Sequence, residues 1–217
     1  MNIVFGSNGS LGKELFQKFL EKDKEVIGFD IKDGPNKETI VVPSLSNSIN
    51  EIEEYMNFEI DSISFCQGLI DFPKNKDILF SNYKISREII EKYWNKLKND
   101  SSICFISSVH AVQSNESNLD YAFSKSVLES YFKNICLNSK YSHFSKTLLR
   151  LGAMESNMLK ENVENLDKMI DNLPSKNIIQ PQDLSEFIYD YHSNHKKVLN
   201  CSVLNIDNGI TLKLSGD

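Results

Sequence analysis

Apolar positions along this chain come in short blocks whose spacing switches between two periods. Asn2–Phe5 is a β-type run, and Leu15, Phe16, Phe19 and Leu20 then follow at helical spacing. A period of two marks a strand, and a period near 3.6 marks an amphipathic helix. Glu25–Asp30 reads as a second strand and Thr39–Val42 as a third, closed by Pro43 and Ser44. Ser46–Phe58 reads as a helix with Ile49, Ile52 and Met56 inward. Ile60–Cys66 is the fourth strand, and Asp77–Leu97 is a long helix with Phe80, Tyr83, Ile85, Ile89 and Ile90 on its apolar side. Ile103–Ile106 is the fifth strand, and Tyr121–Asn138 a helix carrying Ala122, Val127, Leu128, Tyr131, Phe132 and Ile135. Thr147–Leu151 is the sixth strand, followed by the polar, amphipathic stretch Met158–Lys176. Pro181–Ser193 is a helix with proline in its first turn, and Ser202–Ile206 is the last strand.

Composition sets limits on this pattern. The chain has 217 residues, 40% of them apolar and 25% charged, as expected for a soluble globular protein with a substantial core. Its net charge is −6 with no basic cluster, so nucleic acid is not an expected partner. No apolar run reaches membrane-spanning length, and the chain enters a strand at once, which leaves no room for a signal peptide. Cys66, Cys104, Cys136 and Cys201 are scattered without metal-ligand spacing and suit reduced thiols, so a cytoplasmic location and no metal are expected. His192 and His195, three apart near a helix end, have no further ligands beside them.

Candidate chemistry lies in two places. Gly6-Ser7-Asn8-Gly9-Ser10-Leu11-Gly12 joins the first strand to the first helix, the setting in which a glycine-rich turn cradles a pyrophosphate at a helix N-terminus. Asp30, with Ile31 beside it, ends the second strand 18 residues past Gly12. A carboxylate there is placed to accept hydrogen bonds from adenosine ribose hydroxyls and to repel a 2′-phosphate. NAD is therefore preferred, while Lys32 leaves NADP open. The bland alternative makes Asp30 a turn residue before Asp33-Gly34-Pro35.

The second place is Ser108, Tyr121 and Lys125. Ser108 follows the fifth strand, and Tyr121 and Lys125 are four apart on a helix, hence on one face. A phenol titrates near 10, and a neighbouring ammonium pulls that value toward neutrality. Ser108 is suited to hydrogen-bond a substrate oxygen beside the phenol. Taken alone, a tyrosine and a lysine at this spacing are more often a surface pair; the glycine turn upstream changes the balance. Asn82 lies within a predicted helix, where its propensity is poor, and reads as a solvent-facing residue. His110, two residues past Ser108, is placed near the substrate mouth or in a loop.

Together these motifs resemble the short-chain dehydrogenase/reductase family, from Gly6 to Gly209. The resemblance implies a single-domain, doubly wound α/β (Rossmann) fold over 1–217, with a mainly parallel seven-stranded sheet and helices on both faces. It implies hydride transfer between nicotinamide and a carbonyl or secondary alcohol; the polar Met158–Lys176 stretch reads either as a solvated surface helix or as a substrate cover, and as a cover it leans toward a small, polar, sugar-like substrate. By position, Ser108 orients the substrate oxygen, Tyr121 is the general acid/base, and Lys125 lowers the tyrosine pKa and holds the nicotinamide ribose. Asn82 matches a position whose backbone supports a proton-relay water. Cys66-Gln67-Gly68 replaces the family's Asn-Ala-Gly turn, and Pro43-Ser44 stands where an adenine-side Asp is common. Gly152, Met154 and Ser156 fall where the carboxamide is met, and residues 153–178 would form a short lid. Homodimers or homotetramers through the helices Asp77–Leu97 and Tyr121–Asn138 are implied too. The spacing Gly6-x-x-Gly9-x-x-Gly12 is that of extended members, which epimerise or dehydrate sugar nucleotides, but only 59 residues follow Met158. A third reading is a non-catalytic dinucleotide-binding sensor.

Overall fold

The structure is a computed structural model that describes residues 1–34, 38–42, 48–70, 78–113 and 118–212. Seven parallel strands form one sheet in the order β3-β2-β1-β4-β5-β6-β7. They are β1 (Asn2–Phe5), β2 (Val26–Asp30), β3 (Thr39–Val41), β4 (Ile60–Phe65), β5 (Leu97–Ser108), β6 (Ser145–Leu151) and β7 (Ser202–Ile206). Strand order reverses at β1 and β4, whose carboxyl ends open the crevice in which such sheets bind ligands.

The pleat sorts side chains into two cores. Ile3 and Phe5 of β1, with Ile103 and Phe105 of β5, face one layer, where α2 (Ser48–Glu53), α3 (Ile85–Tyr93) and α4 (Leu119–Leu137) pack. Val4, Cys104 and Ile106 face the other, against α1 (Ser10–Glu21) and α7 (Pro181–Asp190). Two short helices, α5 (Asn157–Asn162) and α6 (Leu166–Asp171), lie between β6 and α7.

Several boundaries differ from the sequence pattern. The expected helix Asp77–Leu97 is a π-helical turn, Phe80–Lys84, then α3 and a 3-10 turn, Trp94–Lys96; Leu97 already belongs to β5, and Asp77 lies outside the described residues. β5 starts ahead of the apolar run because Leu97 pairs with Ile60 before an irregular stretch in which Asp100 takes a φ of 73°. Pairing then resumes at Ser62 and Ser102. The helix expected from Ser46 is described only from Ser48, although Ile52 and Met56 do face the core. His192 sits in a π-helical turn after α7, buried between two strands, with its ring nitrogens 2.8 Å from Ser64 Oγ and Ser102 Oγ. Burial drives it down to about 3, so it is a neutral strut in the core.

Candidate active site

The turn after β1 is shaped by what its neighbours leave no room for. Gly6 has φ 74°, and a Cβ there would meet Gln67 N at 2.7 Å. A Cβ on Gly12 would fall on the carbonyl oxygen of Gly6, so α1 can start this close to the turn only with glycine. α1 begins after Gly9 with no side-chain cap and no acid in its first turn, which leaves its N-terminal N–H groups and positive dipole end for an anion.

Asp30 reaches the same turn. Its Oδ2 accepts the Asn8 N–H at 2.8 Å and its Oδ1 accepts the Lys32 N–H at 3.1 Å. The carboxylate thus ties the turn to β2, and each oxygen retains acceptor capacity. Gly6, Asn8, Gly9, Ser10, Asp30, Ile31, Gln67, Gly68, Met154 and Ser156 line one cleft of about 940 Å³. Two buried oxygens at this cleft, Asn8 Oδ1 and Gln67 Oε1, have no hydrogen-bond partner. Orphaned acceptors beside a glycine turn and an aspartate fit a ligand with donor hydroxyls and a diphosphate, as a dinucleotide has.

Five residues expected at this site stand behind its lining. Ser7 is buried, with its hydroxyl 2.9 Å from Thr39 Oγ1. Leu11 and Cys66 pack into the α1/α7 core, and Gly12 abuts Gly6. Gly152 lies against Asp207, where a Cβ would meet the Asp207 Cα at 2.7 Å. Ser156 does line the cleft, yet its hydroxyl accepts the Leu159 N–H at 3.1 Å and so caps α5. Pro43 and Ser44 lie outside the described residues.

The second cluster converges where β5 ends and α4 begins. Ser108 closes β5, its Oγ accepts the His110 N–H at 3.2 Å, and it stands near enough to the Tyr121 phenol to pull its pKa down. Lys125 is 3% exposed, donates to the Ile106 carbonyl at 2.8 Å, and sits 5.8 Å from the Tyr121 ring centroid. Burial lowers its pKa to about 8, against the pull of Cys66 and Glu129. Burial raises the Tyr121 phenol, and it is Ser108 that opposes the rise. The sequence expectation that Lys125 lowers it is not reproduced, because the ammonium is desolvated and directed at a carbonyl. Cys66, near Lys125, is pushed up to about 12 by burial.

Asn82 is 1% exposed, not solvent-facing. Its Oδ1 accepts the Leu69 N–H at 2.8 Å, and its Nδ2 donates to the Leu69 carbonyl at 2.8 Å and to Ser124 Oγ at 2.9 Å. Ser124 donates to the Tyr121 carbonyl at 2.7 Å, so Asn82 fastens the loop after β4 to the first turn of α4. A side chain at Gly68 would lie 3.7 Å from both Asn82 Oδ1 and Lys125 Nζ, and 4.0 Å from Met158 Cε. Ser108, Tyr121, Lys125 and Asn82 are not part of the cleft lining; the cleft comes up to Asn82 and Lys125 at Gly68.

Two more residues complete the picture. His110 sets its ring edge-on to Tyr121 at 5.9 Å between centroids, with Nδ1 3.3 Å from the Gln113 carbonyl. Glu129, one turn past Lys125 on α4, is 4% exposed. It accepts from Ser107 Oγ at 2.8 Å, from Arg150 Nε at 3.0 Å and from Arg150 Nη2 at 2.6 Å. It thereby joins the ends of β5 and β6 to the helix that carries Tyr121. The sequence reading missed Glu129, although its spacing of four from Lys125 places it on the same helix face.

No protein-family model matches the sequence, and no curated protein matches it. Solved structures do. A short chain dehydrogenase family protein from Francisella tularensis subsp. tularensis SCHU S4 is similar over 98% of each chain, with a TM-score of 0.85 and 20% identity. The chain has the short-chain dehydrogenase fold. A 4-hydroxyisoleucine dehydrogenase complexed with NADH shares that fold over 98% of this chain and 99% of its own, at TM-score 0.80 and 20% identity. So does the 3-alpha-hydroxysteroid dehydrogenase from Pseudomonas sp. B-0831 complexed with NADH, over 100% and 99%, at TM-score 0.81 and 15% identity. Each of these three structures is spanned nearly end to end by this chain. No described helix is long and apolar enough to cross a membrane, and no group of three or more His, Cys, Asp or Glu among the described residues is placed to hold a metal.

Proposed function

We propose that this chain is an NAD-dependent oxidoreductase that interconverts a carbonyl and a secondary alcohol. The observation that carries the proposal is the meeting of two separately built features. One end of the cleft is the Gly6–Gly12 turn with Asp30. The other reaches Gly68, where an added Cβ would stand 3.7 Å from the Nζ of the buried Lys125, beside Tyr121 and Ser108. Asn8, Gly9 and Ser10 would hold a diphosphate, Asp30 an adenosine ribose, and Gln67 a donor group between them. When bound, the nicotinamide supplies or accepts the hydride.

The proton is the task of this chain. In reduction, Tyr121 gives its phenolic proton to the carbonyl oxygen as negative charge grows there, and Ser108 donates a hydrogen bond to the same oxygen. In oxidation, the phenolate takes the alcohol proton. Lys125, brought down to about 8 by burial and still cationic at neutral pH, would hold the nicotinamide ribose. Asn82 and Ser124 fix the turn of α4 that carries Tyr121.

Asp30 supports NAD over NADP, since a 2′-phosphate would meet its charge. Asn157, Glu161 and Asn162 of α5 line the cleft, which supports a small polar substrate under a lid spanning 153–178. A dimer through the α3 and α4 faces fits the groove there, lined by Tyr83, Arg87 and Tyr131.

The test is a screen of polar secondary alcohols with NAD, run on the wild type and on Tyr121→Phe. Turnover by the wild type that is lost in the variant, with NADH binding retained, supports the proposal. Equal turnover by both would overturn the role of Tyr121. NADH binding with no turnover on any alcohol or carbonyl would favour a non-catalytic sensor.

A further inference from the structure

Helix α4 lays one stripe along the end of β5. Tyr121, Lys125 and Glu129 are spaced four apart on it and so share a face. Two of them are fastened to neighbouring residues of β5: Lys125 Nζ donates to the Ile106 carbonyl at 2.8 Å, and Glu129 Oε1 accepts the Ser107 hydroxyl at 2.8 Å. An ammonium and a carboxylate, both buried, are thereby brought together in the interior. The carboxylate is shared. Ser107, Arg150 and Asn205 stand side by side across β5, β6 and β7, and residues in register on parallel strands project to one face of the sheet. Arg150 Nε and Nη2 close on the two Glu129 oxygens at 3.0 and 2.6 Å, and Nη1 donates to Asn205 Oδ1 at 2.8 Å. Asp207, just past β7, adds its own pull on this guanidinium.

The other groups around Lys125 carry no charge at neutral pH. Burial pushes the Cys66 thiol, at the end of β4, up to about 12 and raises the Tyr121 phenol, so both stay protonated. His110, edge-on to Tyr121, is lowered by burial and is neutral at that pH. Asn82, which reaches α4 through Ser124, is uncharged. Among these groups Glu129 is the anion. We propose that Glu129 is a positioning residue that keeps Lys125 protonated, and that Arg150, by sharing the carboxylate, limits how strongly it does so. Burial disfavours a charged ammonium, and a nearby carboxylate favours it. The balance leaves Lys125 at about 8, just above neutrality, so loss of Glu129 lets burial discharge it and loss of Arg150 holds its proton harder. The use of that charge, holding the nicotinamide ribose, rests on the oxidoreductase reading above.

The full-length protein, free of nucleotide, is labelled with 13C,15N-lysine, and the Lys125 Nζ resonance is assigned by its absence from Lys125→Met. Its titration midpoint is read across neutral and alkaline pH in the wild type and in three variants. The proposal expects Glu129→Gln to move the midpoint down by about one pH unit, the low end for losing an opposite charge at this range. Arg150→Gln should move it up, and Arg150→Lys, which keeps the cation, should stay near the wild type. Midpoints that stay put would overturn the proposal. So would midpoints that move the same way in Glu129→Gln and Arg150→Gln, the mark of a merely structural pair, or Arg150→Lys behaving as Arg150→Gln. Circular dichroism checks that each variant is folded; if one is not, the sign in the other decides. Failure of the protein to bind NADH would sink the oxidoreductase reading and leave these midpoints as they are.

Discussion

The two halves of the cleft are made of different material. On the β1–α1–β2 side, backbone does most of the shaping: Gly6 and Gly12 let chain segments approach closely, and α1 presents bare N–H groups. On the β5–α4–β6 side, side chains do it: Ser108, Tyr121 and Lys125 face one another, Asn82 and Ser124 hold α4, and Glu129 with Arg150 ties α4 to both strands. The first half is suited to hold a ligand through shape and dipoles that do not titrate. The second half buries groups that do titrate, and that suits proton transfer. Damage to one half should therefore fall on binding, and damage to the other on turnover.

The largest separation is expected from Tyr121→Phe. Removing a general acid/base typically costs about 10²–10⁴-fold in rate, while NADH affinity stays within roughly twofold because the cofactor half is untouched. Stopped turnover with equally weakened binding would dissolve the comparison. Next comes Glu129→Gln, which leaves Arg150 without its carboxylate partner. Chemical denaturation should show a loss of about 3 kcal/mol, the low end for breaking a buried ion pair, because Arg150 is partly exposed. A smaller effect belongs to Gly12→Ala. The new methyl overlaps the Gly6 carbonyl, and overpacking of this kind costs about 1–3 kcal/mol. Calorimetric titration should find weaker NADH binding with turnover at saturating NADH largely kept. Asp30→Asn should weaken NADH about tenfold, as expected for a lost hydrogen bond to a charged group, and narrow the gap to NADPH. Unchanged affinities would return Asp30 to a turn residue.

The smallest effect is in pH dependence. Lys125 is lowered in the folded protein from 10.5 to about 8 by burial, so between those values the unfolded chain binds more protons. Stability from this group therefore rises with pH across that window, by up to about tenfold in the folding constant per pH unit. Below about pH 8 the cost of burying the ammonium is fully present. Lys125→Met should lack this rise when denaturation midpoints are compared at pH 7.5 and 9.5.

The same contrast explains what could be read from sequence. The glycine turn, Asp30 and the strand–helix alternation were legible because steric need leaves a residue-type signature. Ser108, Tyr121 and Lys125 were legible from spacing. Glu129 was not, since a glutamate in a helix looks solvated until Arg150 and Ser107 arrive from other strands. Asn82 was misjudged for the same reason: its partners, Leu69 and Ser124, are 13 and 42 residues away. The start of β5 was hidden because Leu97 pairs ahead of a polar, irregular stretch at Asn99-Asp100 that no apolar pattern marks. Lys125 showed its spacing but not its burial, so the direction of the Tyr121 shift was misread.

The central claim is that the cleft is a nicotinamide dinucleotide site joined to a proton-transfer site. The most direct measurement is titration of the wild-type protein with NADH and, separately, NADPH, followed by nicotinamide fluorescence. The account expects saturable NADH binding at one site per chain, with enhanced and blue-shifted emission, and markedly weaker NADPH binding. No saturable change with either nucleotide would contradict it.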